Sequence, residues 1–148
     1  MIVDTGKLKD IAEIEFHEIV EDVILTDINE IRIVLKDESF IDIWFSLKLK
    51  GRYSYHWERR LIDGLIFRHD NAPHQQWKDT PTFPKHFHDG SEDIVASSYI
   101  SDINPAIKYL PIVIPAKAGI KEYTGCRIKS GMTEVAYLIA GLIIRNQA

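Results

Sequence analysis

The chain has 148 residues and a net charge of −4 at pH 7, and 45% of its residues are hydrophobic, which is typical of one globular domain and excludes a disordered or collagen-like chain. An acidic chain lacks the cationic field that broad nonspecific nucleic-acid binding requires, and its single cysteine excludes an internal disulfide. Its apolar runs fall short of the ~20 residues that a membrane-spanning helix needs, so we expect a soluble cytoplasmic protein without a membrane partner.

The first predicted elements are one helix and a series of strands. Leu8, Ile11 and Ala12 recur at helical spacing, which predicts a short N-terminal helix. A turn at residues 63–64, with the sequence Asp-Gly, is typical of a hairpin. Alternation of apolar and polar residues indicates strands in the segments 31–36, 40–47, 53–58 and 65–70. We therefore predict an antiparallel β meander of about four to five strands.

A second helix is predicted after the polar segment that follows these strands. Asn104 can cap a helix whose first residue is Pro105, and Pro111 ends that helix after about two turns. A helix this short has to pack against the sheet. The predicted fold class is therefore α+β, with the N-terminal helix and the C-terminal helix on one face of the meander, in a domain of residues 1–112.

Residues 113–148 differ from the rest of the chain. They carry a net positive charge, whereas residues 1–112 are net negative. The stretches "IPAKAGI" and "RIKSGMTE" resemble a translated intergenic repeat, a peptide that bacterial reading frames acquire when they run into such an element. This resemblance implies a C-terminal extension without a selected function. The alternative is an amphipathic helix over residues 134–145 that docks on the sheet.

The segment "FRHDNAPHQQWKDTPTFPKHFHDG", residues 67–90, holds four of the six histidines. Strand alternation places Arg68 and Asp70 on one face of the sheet. His86 and His88 also project to one side if their segment is extended, and His74 can approach them once the loop closes. We expect the imidazoles to meet at one rim of the sheet.

Histidines in this arrangement are compatible with three roles. They can act as general acid and base in RNA phosphodiester cleavage, with Arg68 or Lys85 stabilising the anionic phosphorane. They can bind a divalent metal ion, for which an H-x-H pair on a strand supplies two ligands. They can also be structural, capping backbone groups and packing on Trp77 and Phe83. The segment lacks a standard zinc-finger spacing, so we predict no metal and no cofactor.

Candidate roles follow from these patterns. The predicted catalytic residues are His74, His86, His88 and Asp70. The predicted substrate-binding residues are Arg68, Asn71, Lys85, His56 and Arg52. The neighbouring pair Arg59 and Arg60 is interpreted as a solvated turn.

The stretches "GRYSYHWERR", "IFRHDNAPH" and "TFPKHFHDGSED" resemble the TumE-like family of bacterial proteins, over roughly residues 8–110. The resemblance implies a toxin of a toxin–antitoxin pair, with a helix-turn-helix antitoxin as partner. Many relatives carry further histidines where this chain has Gln75 and Lys85, which weakens the metal interpretation. The positions that match the family motif are Arg68, Asp70, Asn71, Pro73, His74, Thr82, Phe83, Pro84, His86 and His88.

The family resemblance leaves the chemistry open. Action on RNA follows only by analogy with other toxins of this size, and the corresponding enzyme is a metal-independent ribonuclease. The alternative is a noncatalytic protein-binding module, or an accessory protein, that acts through its sheet face.

Overall fold

The computed structural model describes residues 4–98. Its first element is helix α1, Thr5–Glu15, which confirms the predicted N-terminal helix. The helix begins at Asp4, whose side chain accepts a hydrogen bond of 3.1 Å from the backbone N–H of Lys7 and so satisfies one unpaired donor of the first turn. Leu8 and Ala12 form its buried stripe, and the helix packs against β1 and β2 of the sheet defined next.

The described residues contain one antiparallel sheet of seven strands, in which each strand pairs with the next along the chain. A one-turn helix, α2 (Arg60–Asp63), joins β4 to β5, and a 3-10 turn (Gln75–Trp77) lies between β5 and β6. The strands are β1 (Val20–Asp27), β2 (Glu30–Leu35), β3 (Phe40–Phe45), β4 (Tyr53–Arg59), β5 (Leu65–Asp70), β6 (His86–Gly90) and β7 (Val95–Ser97).

The antiparallel meander is confirmed, but the predicted number of strands was too low. Strand β1 has no period-two pattern, because it is an edge strand whose pairing with β2 is shifted twice and only Val20 and Val23 are buried in it. Strands β6 and β7 are short and lie in polar sequence, where apolar alternation is lacking. The predicted C-terminal helix, the boundary at residue 112 and the tail 113–148 fall outside the described residues.

One face of the sheet carries the hydrophobic core. In β2, β3 and β4 every second residue is buried, as the alternation predicts. The turns between these strands use positive φ angles at Glu38 (70°) and Gly51 (79°), and the predicted turn at 63–64 places Gly64 in the same region (79°). The core residues of this face include Ile31, Ile33, Ile41, Ile43, Tyr53, Tyr55, Trp57 and Phe67. None of the helices within residues 4–98 is long and apolar enough to span a bilayer.

Candidate functional site

The opposite face of the sheet is polar, and we call it the polar face. Residues that pair across neighbouring antiparallel strands point to the same side, so the strand register defines this face directly. One row of paired residues runs Asp42, His56, Arg68 and His88 across β3 to β6. The adjacent row runs Ser54, Asp70 and His86.

Asp70, His86 and His88 form a compact group on the polar face, which we call the histidine–aspartate cluster. One ligand-type atom from each of the three side chains lies within 4.8 Å of the other two. His86 Nε2 is 3.3 Å from Asp70 Oδ1, and His88 Nε2 is 3.8 Å from Asp70 Oδ2. The exposed fractions of Asp70, His86 and His88 are only 6%, 0% and 2%. The structure therefore brings together three of the four residues predicted to be catalytic, and buries them instead of leaving them at an open rim.

Backbone carbonyls fix the tautomers of both cluster histidines. His86 Nδ1 lies 2.9 Å from the carbonyl oxygen of Pro84, and His88 Nδ1 lies 2.8 Å from that of Glu92. A carbonyl oxygen only accepts hydrogen bonds, so each Nδ1 must carry the hydrogen. In the neutral rings each Nε2 then presents a lone pair toward the carboxylate of Asp70.

The two Nε2 atoms differ in their partners. His88 Nε2 accepts a hydrogen bond of 3.0 Å from Arg68 Nη2. His86 Nε2 is fully buried and has no hydrogen-bond partner within residues 4–98, since its 3.3 Å approach to Asp70 does not have hydrogen-bond geometry. A buried lone pair facing an anionic carboxylate is an unfavourable arrangement that requires an explanation.

Arg68 is the cation nearest to the cluster. Its Nε donates to Asp70 Oδ2 at 3.1 Å, and its Nη2 lies 2.6 Å from a carboxylate oxygen of Glu92. Burial, reinforced by the positive charge of Arg68, lowers the pKa of His88 below its ordinary value. The His88 imidazole is therefore neutral at neutral pH, which agrees with its position as an acceptor from Arg68.

Trp77 and His74 lie over the cluster. The Trp77 ring is 6.0 Å from the His88 ring and 6.4 Å from the His86 ring, measured between centroids. His74 is exposed, and its ring centroid is 6.2 Å from that of His86. Sequence reasoning gave Trp77 only a structural role, although an aromatic residue in a polar loop is a signal for a surface that contacts ligands. In the structure the Trp77 ring lies beside both imidazoles.

Asn71 and the main chains of Arg52 and Lys85 form hydrogen bonds that hold turns in place. Asn71 Oδ1 accepts from the backbone N–H of Tyr53 at 3.0 Å, and Asn71 Nδ2 donates to the carbonyl of Gly51 at 2.7 Å. This amide ties the end of β5 to the β3–β4 turn, where Arg52 uses its own carbonyl as acceptor for Ser46. Among the described hydrogen bonds and ion pairs of residues 4–98, none joins Asn71 or Arg52 to the cluster.

Lys85 lies in the turn before β6, and His56 lies in β4 on the polar face. The backbone carbonyl of Lys85 accepts from Thr82 Oγ1 at 2.7 Å and its N–H donates to the carbonyl of Thr82, so its main chain closes the turn before β6. His56 is on the polar face, as its pairing with Arg68 requires, and its Nε2 is 3.4 Å from Glu58 Oε2. His56 is therefore placed along the row that leads to the cluster.

His69 shows why alternation matters in this segment. It lies on the core face, 1% exposed, with its ring 4.3 Å from the Phe87 ring and its Nδ1 2.9 Å from Ser98 Oγ. Burial, together with repulsion from His86 and His88 when these rings are protonated, lowers the pKa of His69 to about 3. This histidine is a neutral part of the core, on the opposite face of β5 from Arg68 and Asp70.

The contribution of Glu58, on the polar face, to the stability of the fold should depend on pH. Hydrogen bonds from Arg60 hold the pKa of Glu58 at about 2, below its ordinary value of 4.5. Because the pKa is lowered in the folded state, ionised Glu58 stabilises the fold above about pH 4.5, and this contribution disappears as the pH falls toward 2. We expect Glu58→Gln to have a lower urea midpoint than the parent chain at neutral pH, with the difference shrinking in acid. A difference that is independent of pH would contradict this assignment.

Comparison with known proteins agrees with the resemblance in the sequence. Residues 7–111 match the family model described as Toxin TumE, which covers well over half of the chain. No curated protein and no solved structure gives a significant match. A toxin of this kind implies an antitoxin partner. The chain therefore belongs to the TumE toxin family.

Proposed function

We propose that this chain is the toxin of a bacterial toxin–antitoxin pair, that a helix-turn-helix antitoxin neutralises it, and that it acts on RNA at the polar face. The toxin role is supported by the family match over residues 7–111. The observation that carries the RNA hypothesis is the histidine–aspartate cluster beside Arg68. The cluster combines two imidazoles and a carboxylate, and the guanidinium of Arg68 lies beside it on the same two neighbouring strands.

Single-stranded RNA fits the surroundings of this cluster. Unpaired bases stack on aromatic side chains, and Trp77 offers such a ring next to both imidazoles. Arg68, with a quarter of its side chain exposed, supplies positive charge for a phosphate at this point of an otherwise acidic chain. Because His86 and His88 are buried, a phosphate reaches them only when the loop that carries Trp77 shifts aside.

The test is to remove both Nε2 atoms while keeping the structural hydrogen bonds. Asparagine places its amide donor near the position of histidine Nδ1, so His86→Asn and His88→Asn can preserve the bonds to the carbonyls of Pro84 and Glu92. We expect the double variant to relieve growth arrest on induction and to slow RNA decay by about 10²–10⁴-fold, the usual contribution of general acid–base groups.

His17 offers a matched control. Its Nδ1 also lies against a backbone carbonyl, that of Ile14 at 3.1 Å, but it is exposed and belongs to the turn after α1. His17→Asn should remain toxic. Circular dichroism and thermal unfolding establish that each variant is folded, and undiminished RNA decay in the folded double variant would reject the site.

A binding role without catalysis has a separate observation in its favour. Ile24 and Leu25 on the edge strand β1, and Ile28 in the turn after it, are between 43% and 62% exposed. An apolar edge of this kind is suited to contact with a protein. On this alternative, expression of the chain arrests growth without loss of RNA, and Ile24→Asp together with Leu25→Asp relieves the arrest.

A further inference from the structure

We infer that Asp70, His86 and His88 bind a divalent transition-metal ion of the zinc class through Asp70 Oδ1 or Oδ2 and the two Nε2 atoms. Imidazole nitrogen and carboxylate oxygen are ligands that zinc accepts. The inference rests on the geometry of these three side chains and does not depend on any action on RNA. It reverses the sequence-based prediction of a site without metal.

The distances between the ligand atoms suit one shared ion. Ligands at ~2.0–2.1 Å from a tetrahedral zinc ion lie about 3.3 Å from each other. His86 Nε2 is 3.3 Å from Asp70 Oδ1 and His88 Nε2 is 3.8 Å from Asp70 Oδ2, and one ligand atom from each residue lies within 4.8 Å of the other two, so small side-chain shifts bring all three to one ion. Three protein ligands leave one coordination position for water, which is the arrangement of catalytic and not of structural zinc sites.

The Nδ1 atoms of both rings, which face away from Asp70, are hydrogen-bonded in the way that is usual for metal-binding histidines. A histidine that binds a metal through one nitrogen commonly donates its other N–H to a carbonyl or a carboxylate, which sets the tautomer and the ring orientation. His86 and His88 both do this, toward the carbonyls of Pro84 and Glu92. Two independent backbone contacts thus point two lone pairs at the same carboxylate.

The unpartnered nitrogen of His86 is the observation that a hydrogen-bonded polar network does not explain. Its Nε2 is buried, has no hydrogen-bond partner within residues 4–98 and faces Asp70 Oδ1, which already accepts from the N–H of Ala72 at 2.9 Å. When the ring carries no proton on Nε2, its lone pair and the carboxylate oxygen 3.3 Å away repel each other unless a cation lies between them. A metal ion at this point satisfies both atoms and can take His88 Nε2 as a third ligand.

Arg68 competes with the ion. Its Nη2 donates to His88 Nε2, and its Nε to Asp70 Oδ2, so metal binding has to displace it from at least the imidazole. Glu92 can retain the guanidinium on its outer side, where it already lies 2.6 Å from Arg68 Nη2. We therefore expect Arg68→Met to bind zinc more tightly than the parent chain, because the ion no longer competes for His88.

The experiment is calorimetric titration of zinc chloride into the chelator-treated full chain, with thermal unfolding as a second readout. We expect one strong site per chain and a higher Tm in the presence of zinc. His86→Asn and Asp70→Asn, which retain the contacts to Pro84 and Ala72, should each weaken binding by more than the ~10–100-fold typical of outer-shell partners and should abolish the rise in Tm. His17→Asn should bind like the parent chain.

The outcomes separate this inference from the proposed function. The metal site is overturned if folded His86→Asn or Asp70→Asn binds zinc as tightly as the parent chain. It is also overturned if the parent chain binds zinc no more tightly than the double variant His86→Asn, His88→Asn. A charged His86 ring in the parent chain, seen by nitrogen NMR at neutral pH in the presence of zinc, also overturns it, because a proton would then occupy the place of the ion. Zinc binding without RNA decay supports the metal site and rejects the RNA hypothesis. RNA decay in a chain that binds no zinc supports the RNA hypothesis and rejects the metal site.

Discussion

Replacing Trp57 with alanine should lower the free energy of unfolding by about 3–5 kcal/mol, the usual cost of emptying a large aromatic site in a core. Trp57 lies in β4, the middle strand of the seven, and is only 2% exposed. Its ring packs 5.5 Å from that of Phe67, and its indole N–H donates to Ser39 Oγ at 2.9 Å. The variant therefore loses apolar contacts and one buried hydrogen bond together. Urea denaturation measures the change.

Trp57→Phe is the control for this prediction. Phenylalanine keeps most of the apolar contact and loses only the indole donor, and Ser39 still donates to Asp37 Oδ1 at 2.5 Å, so we expect less than half of the alanine effect. Trp57 is on the core face, so the folded fraction of either variant should bind zinc at the cluster as the parent does. Equal destabilisation by the two substitutions would contradict the packing argument.

How far the fold could be predicted depends on how each strand is buried. Strands β2 to β4 are half-buried, so their apolar residues alternate and the sequence identifies them. Strand β1 is an edge strand with an irregular register, and the buried residues of β6 are the polar residues His86 and His88. Edge pairing and polar burial leave no hydrophobic period, so these strands could not be counted from the sequence.

The same limit applies to the candidate site. Alternation alone placed Arg68 with Asp70, and His86 with His88, on common sides of their strands. Their meeting depends on the register of β5 against β6, in which Asp70 pairs with His86, and this register is set by the geometry of the 15-residue connection over residues 71–85. No spacing rule gives that geometry, so the carboxylate of the cluster could not be joined to the H-x-H pair from sequence alone.

The tautomers of His86 and His88 could also not be predicted from the sequence. Whether a histidine acts as acid, base or ligand depends on which nitrogen carries the hydrogen, and here carbonyls in two different turns decide it. Asn71 has a structural role that the sequence did not indicate, because its side-chain amide bonds the backbone of Tyr53 and Gly51. Its substrate-binding role stays a prediction.

Replacing Arg59 with methionine should lower the free energy of unfolding by about 2–3 kcal/mol. Arg59 was interpreted as part of a solvated turn, but its side chain is only 7% exposed and it forms ion pairs of 2.7 Å with Asp37 and 2.8 Å with Asp63. Breaking a fully buried pair costs about 3–5 kcal/mol, and the cost here is smaller because both carboxylates are more than a third exposed and regain water. Methionine retains the apolar contact with the Trp57 ring, over which the guanidinium lies at 4.6 Å.

A double-mutant cycle with Asp37→Asn separates charge pairing from packing. Asparagine keeps the Oδ1 acceptor for the backbone N–H of Ser39 at 3.0 Å and removes both the charge and the Oδ2 acceptor that face Arg59. We expect a coupling energy of about 1 kcal/mol between Arg59→Met and Asp37→Asn in urea denaturation. Additive effects would mean that Arg59 stabilises the end of β4 by packing on Trp57 alone. Because Arg59 and Trp57 both lie on the core face, a loss of stability here that leaves zinc binding intact would establish that the two faces of this sheet can be altered independently.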